Sequence, residues 1–240
     1  MSSRRPRHWL RRLVVTVVVL AVLAVAIDRA AAWVAENQLA SMAEKEAAQY
    51  DVTAADTSVD IGGFGFLPQL FKEEFSSVTL TMKQPTFDSI PAEDLKVELH
   101  NVHVPRGLLT GQAGAAVTID STDVRLQLSP AELAKVAVRS TGLQGLTLDV
   151  VDGKLQARLS IRGVTAEATL RPQVEKGRIV LAVDQLSDSV PSFVRNAVRN
   201  QLSRAITLPK LPYGATLKQV SVEGSSIVLS ATAADLKFAA

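Results

Sequence analysis

The hydrophobic pattern changes period several times along the chain. Leu13 to Ile27 has no polar period at all, being fifteen residues without a charge between Arg11-Arg12 and Asp28-Arg29. Asp28 to Gln49 is rich in Ala, Glu, Gln and Lys, with Ala31, Val34, Ala35, Gln38, Leu39 and Met42 at three- and four-residue spacing, which predicts a helix with one apolar stripe. Beyond Val52 the period falls to two. Val52 to Asp60 and Ser76 to Lys83 read as strands, and Leu95, Val97 and Leu99 alternate with Lys96, Glu98 and His100. Val102 and Val104 then take the opposite parity, which predicts a bulge near Asn101.

A strand pair follows, Val117 and Ile119, then Val124, Leu126 and Leu128. Ser129-Pro130-Ala131-Glu132 is a helix-start signature, with serine as cap and proline at the first helical position, and the helix runs to about Arg139. Strands resume at Leu146 to Val151, Lys154 to Arg162, Val164 to Arg171 and Arg178 to Val183, joined by Asp152-Gly153, Arg162-Gly163 and Glu175-Lys176-Gly177. This is hairpin chemistry and predicts an antiparallel meander. A further helix is expected from Pro191 to Ala205, with Phe193, Val194, Ala197, Val198 and Leu202 on one side and Arg195, Arg199 and Arg204 recurring along it. Thr216 to Val222 and Ser226 to Thr232 close the chain. These elements predict an α+β fold, a large curved antiparallel sheet of about ten strands wrapped around two or three helices. No Pro/Gly/Ser-rich linker divides residues 28–240, which read as one domain after an N-terminal segment at 1–27.

One stretch breaks every period. Asp60 to Phe71 holds three glycines, one proline and three of the seven phenylalanines, and reads as an apolar loop through which neither helix nor strand runs. A loop carrying Phe64, Phe66, Leu67, Leu70 and Phe71 either plugs a core or offers apolar surface to something greasy.

Composition narrows the function. The 240 residues are 47% hydrophobic with a net charge of +2, and Arg4, Arg5, Arg7, Arg11 and Arg12 precede residue 13, so the remainder is close to neutral and gives no basic face for nucleic acid. Arginines before the apolar run and an acid after it place the N-terminus in the cytoplasm and the rest across the membrane. Its fifteen residues suit the apolar stretch of a signal peptide better than a membrane span, which needs about 20; the run is a signal peptide, cleaved near Ala24-Val25-Ala26 or Ala30-Ala31-Ala32, or an anchor with Trp33 at the interface. There is no cysteine, hence no disulfide, thiolate site or cysteine nucleophile. His100 and His103 lie three apart on a strand and are expected on opposite faces, which argues against a metal site. No G-x-S-x-G elbow, serine–lysine pair or phosphate loop is present. The reading is a protein without catalytic residues, metal or cofactor, its interior lined by Val, Leu, Ile and Ala that suit acyl chains.

An export signal, a helix, Ile61-Gly62-Gly63-x-x-Phe66-Leu67-x-Gln69 and the strand Val78-Thr79-Leu80, in that order, resemble the LmeA-type phospholipid-binding family of actinobacterial cell envelopes over about residues 30 to 235. The chain departs from that pattern at Gly65, where the family has proline, and at Pro68, where it has a small polar residue. The resemblance implies a tubular lipid-binding architecture like that of the bactericidal permeability-increasing family. It also implies phospholipid or phosphoinositide as the partner, and a supporting role in envelope glycolipid assembly.

Two functions of different class follow. In the first, an exported protein at the outer face of the cytoplasmic membrane holds acyl chains in an apolar groove between the sheet and the helix Pro191 to Ala205. There Phe193, Val194, Ala197, Val198 and Leu202 line the wall, Phe64, Phe66, Leu67, Leu70 and Phe71 lie at the mouth, and Arg195, Arg199 and Arg204 meet the headgroup. In the second, the apolar loop docks a non-catalytic adaptor on a membrane enzyme of envelope glycolipid or polysaccharide synthesis.

Overall fold

The computed structural model describes residues 7–49, 51–87, 89–105, 107, 116–142, 144–161, 164–186, 195, 196, 199, 206 and 214–239. The apolar run and the following Ala-rich segment form one unbroken helix, α1 (Arg7–Ala48). Then come β1 (Val52–Thr53), β2 (Asp56–Gly62), α2 (Phe66–Lys72), β3 (Glu74–Lys83), β4 (Thr86–Phe87), β5 (Ile90–Pro91), β6 (Asp94–His103) and β7 (Ala116–Leu128). A third helix, α3 (Pro130–Thr141), precedes β8 (Leu146–Val151), β9 (Lys154–Ile161), β10 (Val164–Glu175), β11 (Arg178–Leu186), β12 (Thr216–Glu223) and β13 (Ser226–Ala239). The fold is α+β, and its strands form three antiparallel sheets instead of one. Six strands are ordered β12-β13-β7-β6-β3-β2, four are ordered β11-β10-β9-β8, and β1-β4-β5 make a small third sheet.

Local chemistry explains most boundaries. Ser129 caps α3 by accepting a hydrogen bond from the Glu132 amide at 3.3 Å, Pro130 takes the first helical position, and Gly142 ends the helix in the left-handed region. Asp152-Gly153 and Lys176-Gly177 both have positive φ at the two central positions, as type I′ turns require, and they join β8 to β9 and β10 to β11. The predicted strand from Val52 to Asp60 is broken at Ala54-Ala55 into β1 and β2. The expected pair from Val117 to Leu128 is one thirteen-residue strand, and the last strand runs on to Ala239.

The six-stranded sheet is amphipathic in register. One face carries the cross-strand row Val59, Leu80, Val97, Val124, Ala231 and Leu217, and beside it the row Thr57, Met82, Leu95, Leu126, Leu229 and Val220. The opposite face carries Asp60, Thr79, Glu98, Asp123, Thr232 and Thr216. The parity change at Asn101 is real, but no residue is inserted: pairing to β3 and β7 keeps one register on either side. Instead Ser76, Asn101, Asp120 and Asp235 form an exposed seam across four strands, with Asn101 and Asp235 at φ of 52° and 53° and the Asn101 amide donating to Asp120 at 3.1 Å. Beyond the seam every strand reverses parity together, so Phe75, Val102, Ile119 and Leu236 rejoin the apolar face. This also corrects the histidines. Leu99, Val102 and Val104 all pack inward, leaving both His100 and His103 on the polar face, where His100 Nε2 lies 3.1 Å from Asp123.

Two cores occupy the two ends of this sheet. The larger joins α3, the four-stranded sheet and β12–β13 around Leu133, Leu155, Ile179, Ile206 and Ile227. The smaller joins α1, α2 and the seam end of the sheet around Ala32, Ile61, Phe66, Phe75 and Val102. Leu155 is fully buried at the centre of the larger core. Leu155→Ala should therefore destabilise the protein by about 2–5 kcal/mol, read as a lower urea midpoint at unchanged slope.

Candidate functional site

The apolar stretch forms a stapled turn. Contrary to the expectation that Pro68 forbids a helix there, α2 runs from Phe66 to Lys72. Pro68 lies in the first turn, where no intrahelical partner for its missing N–H is needed. Glu73 then ends the helix in the left-handed conformation, at φ of 61°. The buried Gln69 side chain holds the turn closed. Its amide donates to the carbonyls of Gly62 at 3.0 Å and Gly65 at 2.9 Å, and its Oε1 accepts from the Ser76 amide at 2.8 Å. Gly63 sits against that amide at φ of 97°, where an added Cβ would lie 2.9 Å from Gln69 Oε1.

Asp28 supplies the other half of the staple, from α1. Its carboxylate accepts from the backbone amides of Phe66 at 3.0 Å and Leu67 at 2.7 Å, and pairs with Arg29 at 2.7 Å. It thus caps α2 from a different helix. The Arg29 hydrogen bond first, then the Leu67 and Phe66 amides, hold this carboxyl below its ordinary value of 3.8. One turn of α1 further on, Ala31, Ala32 and Ala35 pack on the small core, and Glu36 Oε1 accepts from the Ile61 amide of edge strand β2 at 3.0 Å. The helical stripe differs from the expected one. Small alanines face the sheet, while Trp33, Val34 and Met42 point to the outside and Leu39 is only partly covered.

The five apolar residues of the stretch divide into two sets. Phe66 is buried against Phe75, with ring centroids 5.9 Å apart, and Leu67 and Leu70 pack on the same core. Phe64 and Phe71 point away, 94% and 70% exposed. Of the residues expected on the later helix, Arg195 and Arg199 are helical, the first half-buried and the second exposed. Phe193, Val194, Ala197, Val198, Leu202 and Arg204 lie outside the described residues, as does most of the predicted helix from Pro191 to Ala205.

Two surfaces remain as candidates for a ligand. A cleft of about 560 Å³ opens between β9–β11 and β12, lined by Leu155, Leu170, Pro172, Val220 and Val222 but also by Lys154, Gln185 and the ion pair Arg171–Asp184. Its mixed lining and open mouth do not suit a hydrocarbon tail. The apolar face of the six-stranded sheet is the second. Val59, Leu80, Val97 and Val124 occupy its central row and are only half-buried, whereas the cores at either end are closed. Their alternation was legible along each strand, but the row they form depends on register between strands far apart in sequence. Among the described residues no cluster of His, Asp or Glu is arranged to hold a metal ion.

Fold and surface together define an α+β protein with an amphipathic sheet and an apolar turn fixed to the middle of a long helix, where its apolar first half ends. A family model described as LmeA-like phospholipid-binding matches residues 26–232, and the chain belongs to that family. The matched region takes in Asp28, the stapled turn, five strands of the larger sheet and the first half of β13. No curated protein and no solved structure matches the chain.

Gln69→Leu keeps the volume and removes three partly buried hydrogen bonds to backbone. It should cost at least about 1–3 kcal/mol, the penalty of one stranded group, in urea unfolding. The Asp28 contact has a defined pH dependence. Because the folded carboxyl titrates below 3.8, its contribution is complete above that value and is lost as pH falls through the folded pKa. The Leu67 amide resonance should therefore titrate with a midpoint below 3.8 and become pH-independent in Asp28→Asn; a midpoint above 3.8 would contradict the assignment.

Proposed function

We propose that this chain is an exported cell-envelope protein that holds the acyl chains of a phospholipid against the apolar face of its six-stranded sheet. In this reading it serves lipid transfer or envelope glycolipid assembly and carries out no reaction. The observation that carries the reading is that face. It is continuous across six strands and mainly aliphatic, with Thr57 and Thr122 the polar members, and it is half-buried at Val59, Leu80, Val97 and Val124, where a filled core would be closed, while Ala231 and Leu217 of the same row are buried. Membership of a phospholipid-binding family supports the same ligand. The energetics are favourable, since each methylene taken from water contributes about 0.8 kcal/mol and a dozen of them outweigh the cost of association. The helix expected from Pro191 to Ala205 would cover the acyl chains, with Phe193, Val194, Ala197, Val198 and Leu202 against them. Arg195 and Arg199, four residues apart and both helical, would with Arg204 meet a phosphate or phosphoinositide headgroup at the groove end. The arginines ahead of the apolar run orient the chain with its domain on the outer side of the cytoplasmic membrane.

Organic extraction of the purified protein followed by lipid mass spectrometry should recover phospholipid. Val97→Trp, which raises the floor at the centre of the face, should lower lipid recovered per chain severalfold while leaving cooperative thermal unfolding in place. A protein that neither carries nor takes up lipid, or a Val97→Trp variant that binds as well as the parent, rejects the reading.

A further inference from the structure

We infer that α1 is retained in the mature protein as a single anchor and scaffold helix, and that the turn it grips is immersed in the outer leaflet of the membrane through Phe64 and Phe71. The inference stands on where the clasp lies. The uncharged run ends at Ile27, and the next residue, Asp28, is bonded to the amides of Phe66 and Leu67. The point where the helix leaves the hydrocarbon is thereby fixed to the apolar turn. An added Cβ on Gly65 would lie 3.6 Å from Asp28 Oδ1, so Phe64 is held beside the helix at that level.

Phe64 is 94% exposed and Phe71 70% exposed, on a segment whose other large apolar residues are packed inside. Two phenylalanines turned outward next to a membrane-crossing helix match the bilayer interface, where apolar side chains sit about 5–10 Å into the boundary between headgroups and acyl chains. Lys72, exposed in the last turn of α2, and Arg29, half-exposed beside Asp28, are cations that can meet lipid phosphates. Trp33, 66% exposed one helical turn beyond Asp28, is the kind of side chain that lines such an interface.

The same contacts argue for retention. A cut at Ala30-Ala31-Ala32 would remove the carboxylate that caps α2 together with Ala31 and Ala32, which pack in the small core. A cut after Ala26 would leave the clasp two residues from a free helix end, where helices fray.

The chain has no cysteine, so single labels report cleanly. Phe64→Cys, Phe71→Cys and, as a reference, Ser225→Cys at the opposite end of the same sheet would each carry an environment-sensitive nitrobenzoxadiazole label. The full-length protein would be reconstituted in phosphatidylcholine–phosphatidylglycerol vesicles containing spin-labelled lipid. Labels at 64 and 71 should show blue-shifted emission and quenching by the lipid spin label, with neither at 225, and the membrane-purified native chain should keep residues 7–28 by mass. Labels at 64 and 71 that behave like the one at 225, or a native chain cleaved anywhere within α1, whether after Ala26 or at Ala30-Ala31-Ala32, overturn the inference. Neither result depends on whether the sheet carries lipid, which the extraction experiment reads independently.

Discussion

The fold at the end of the sheet beside α1 depends on two side chains meeting the hydrogen-bonding needs of one irregular turn. An apolar segment that leaves a strand, turns sharply and starts a short helix strands several backbone groups, and beside a hydrophobic core each unmet group is costly. Gln69 serves two of them from within the turn and also ties it to the Ser76 amide of β3, and Asp28 serves two more from another helix. The turn is therefore rigid without regular structure. It can turn Phe66 into the core and leave Phe64 outside only because the backbone between them is pinned on both sides.

That pinning fixes α1 along β2, the edge of the six-stranded sheet. An open edge strand invites pairing with other chains, and Glu36 accepting the Ile61 amide shows the helix covering that edge with a side-chain acceptor. One end of the sheet is closed by the small core and the other by α3 and the four-stranded sheet, and Val59, Leu80, Val97 and Val124 between them are only half-buried. The seam from Ser76 to Asp235 contributes here as well. By reversing parity in four strands at one level, it keeps the apolar side chains of both segments on the same face.

The sequence was legible where a pattern is local. The two type I′ turns, the Ser129 cap and the alternation of the strands were readable because each depends on neighbours in the chain, and the Gly-Gly, Phe-Leu and Gln positions that mark the family are those that build the staple. Pairing was not readable. That Val97 lies beside Leu80 and Val124 is a matter of register, and that the parity change at Asn101 belongs to four strands needs all four alignments at once. The role of Asp28 was hidden for a similar reason: an acid after an apolar run reads as a boundary, and nothing local says that its partners lie 38 and 39 residues further on. The misplaced stripe on α1 has another cause. Periodicity counted Val34, Leu39 and Met42 as core because they are large, whereas close approach to a strand favours alanine.

That preference bears on how the domain is held. Alanines bury little apolar area, so the face that α1 offers to β2 gains less from the hydrophobic effect than a face of leucines would. The helix nevertheless keeps its register on the sheet, because directional bonds from Asp28 and Glu36 set both rotation and height. Large residues would have gripped more strongly but would have allowed several packings of similar energy. Small residues with two polar clasps allow one. For a helix that, in the inference above, continues into a membrane, a single height is the property that matters, since it would set the depth of Phe64 and Phe71 and the direction in which the apolar face of the sheet points relative to the lipid surface.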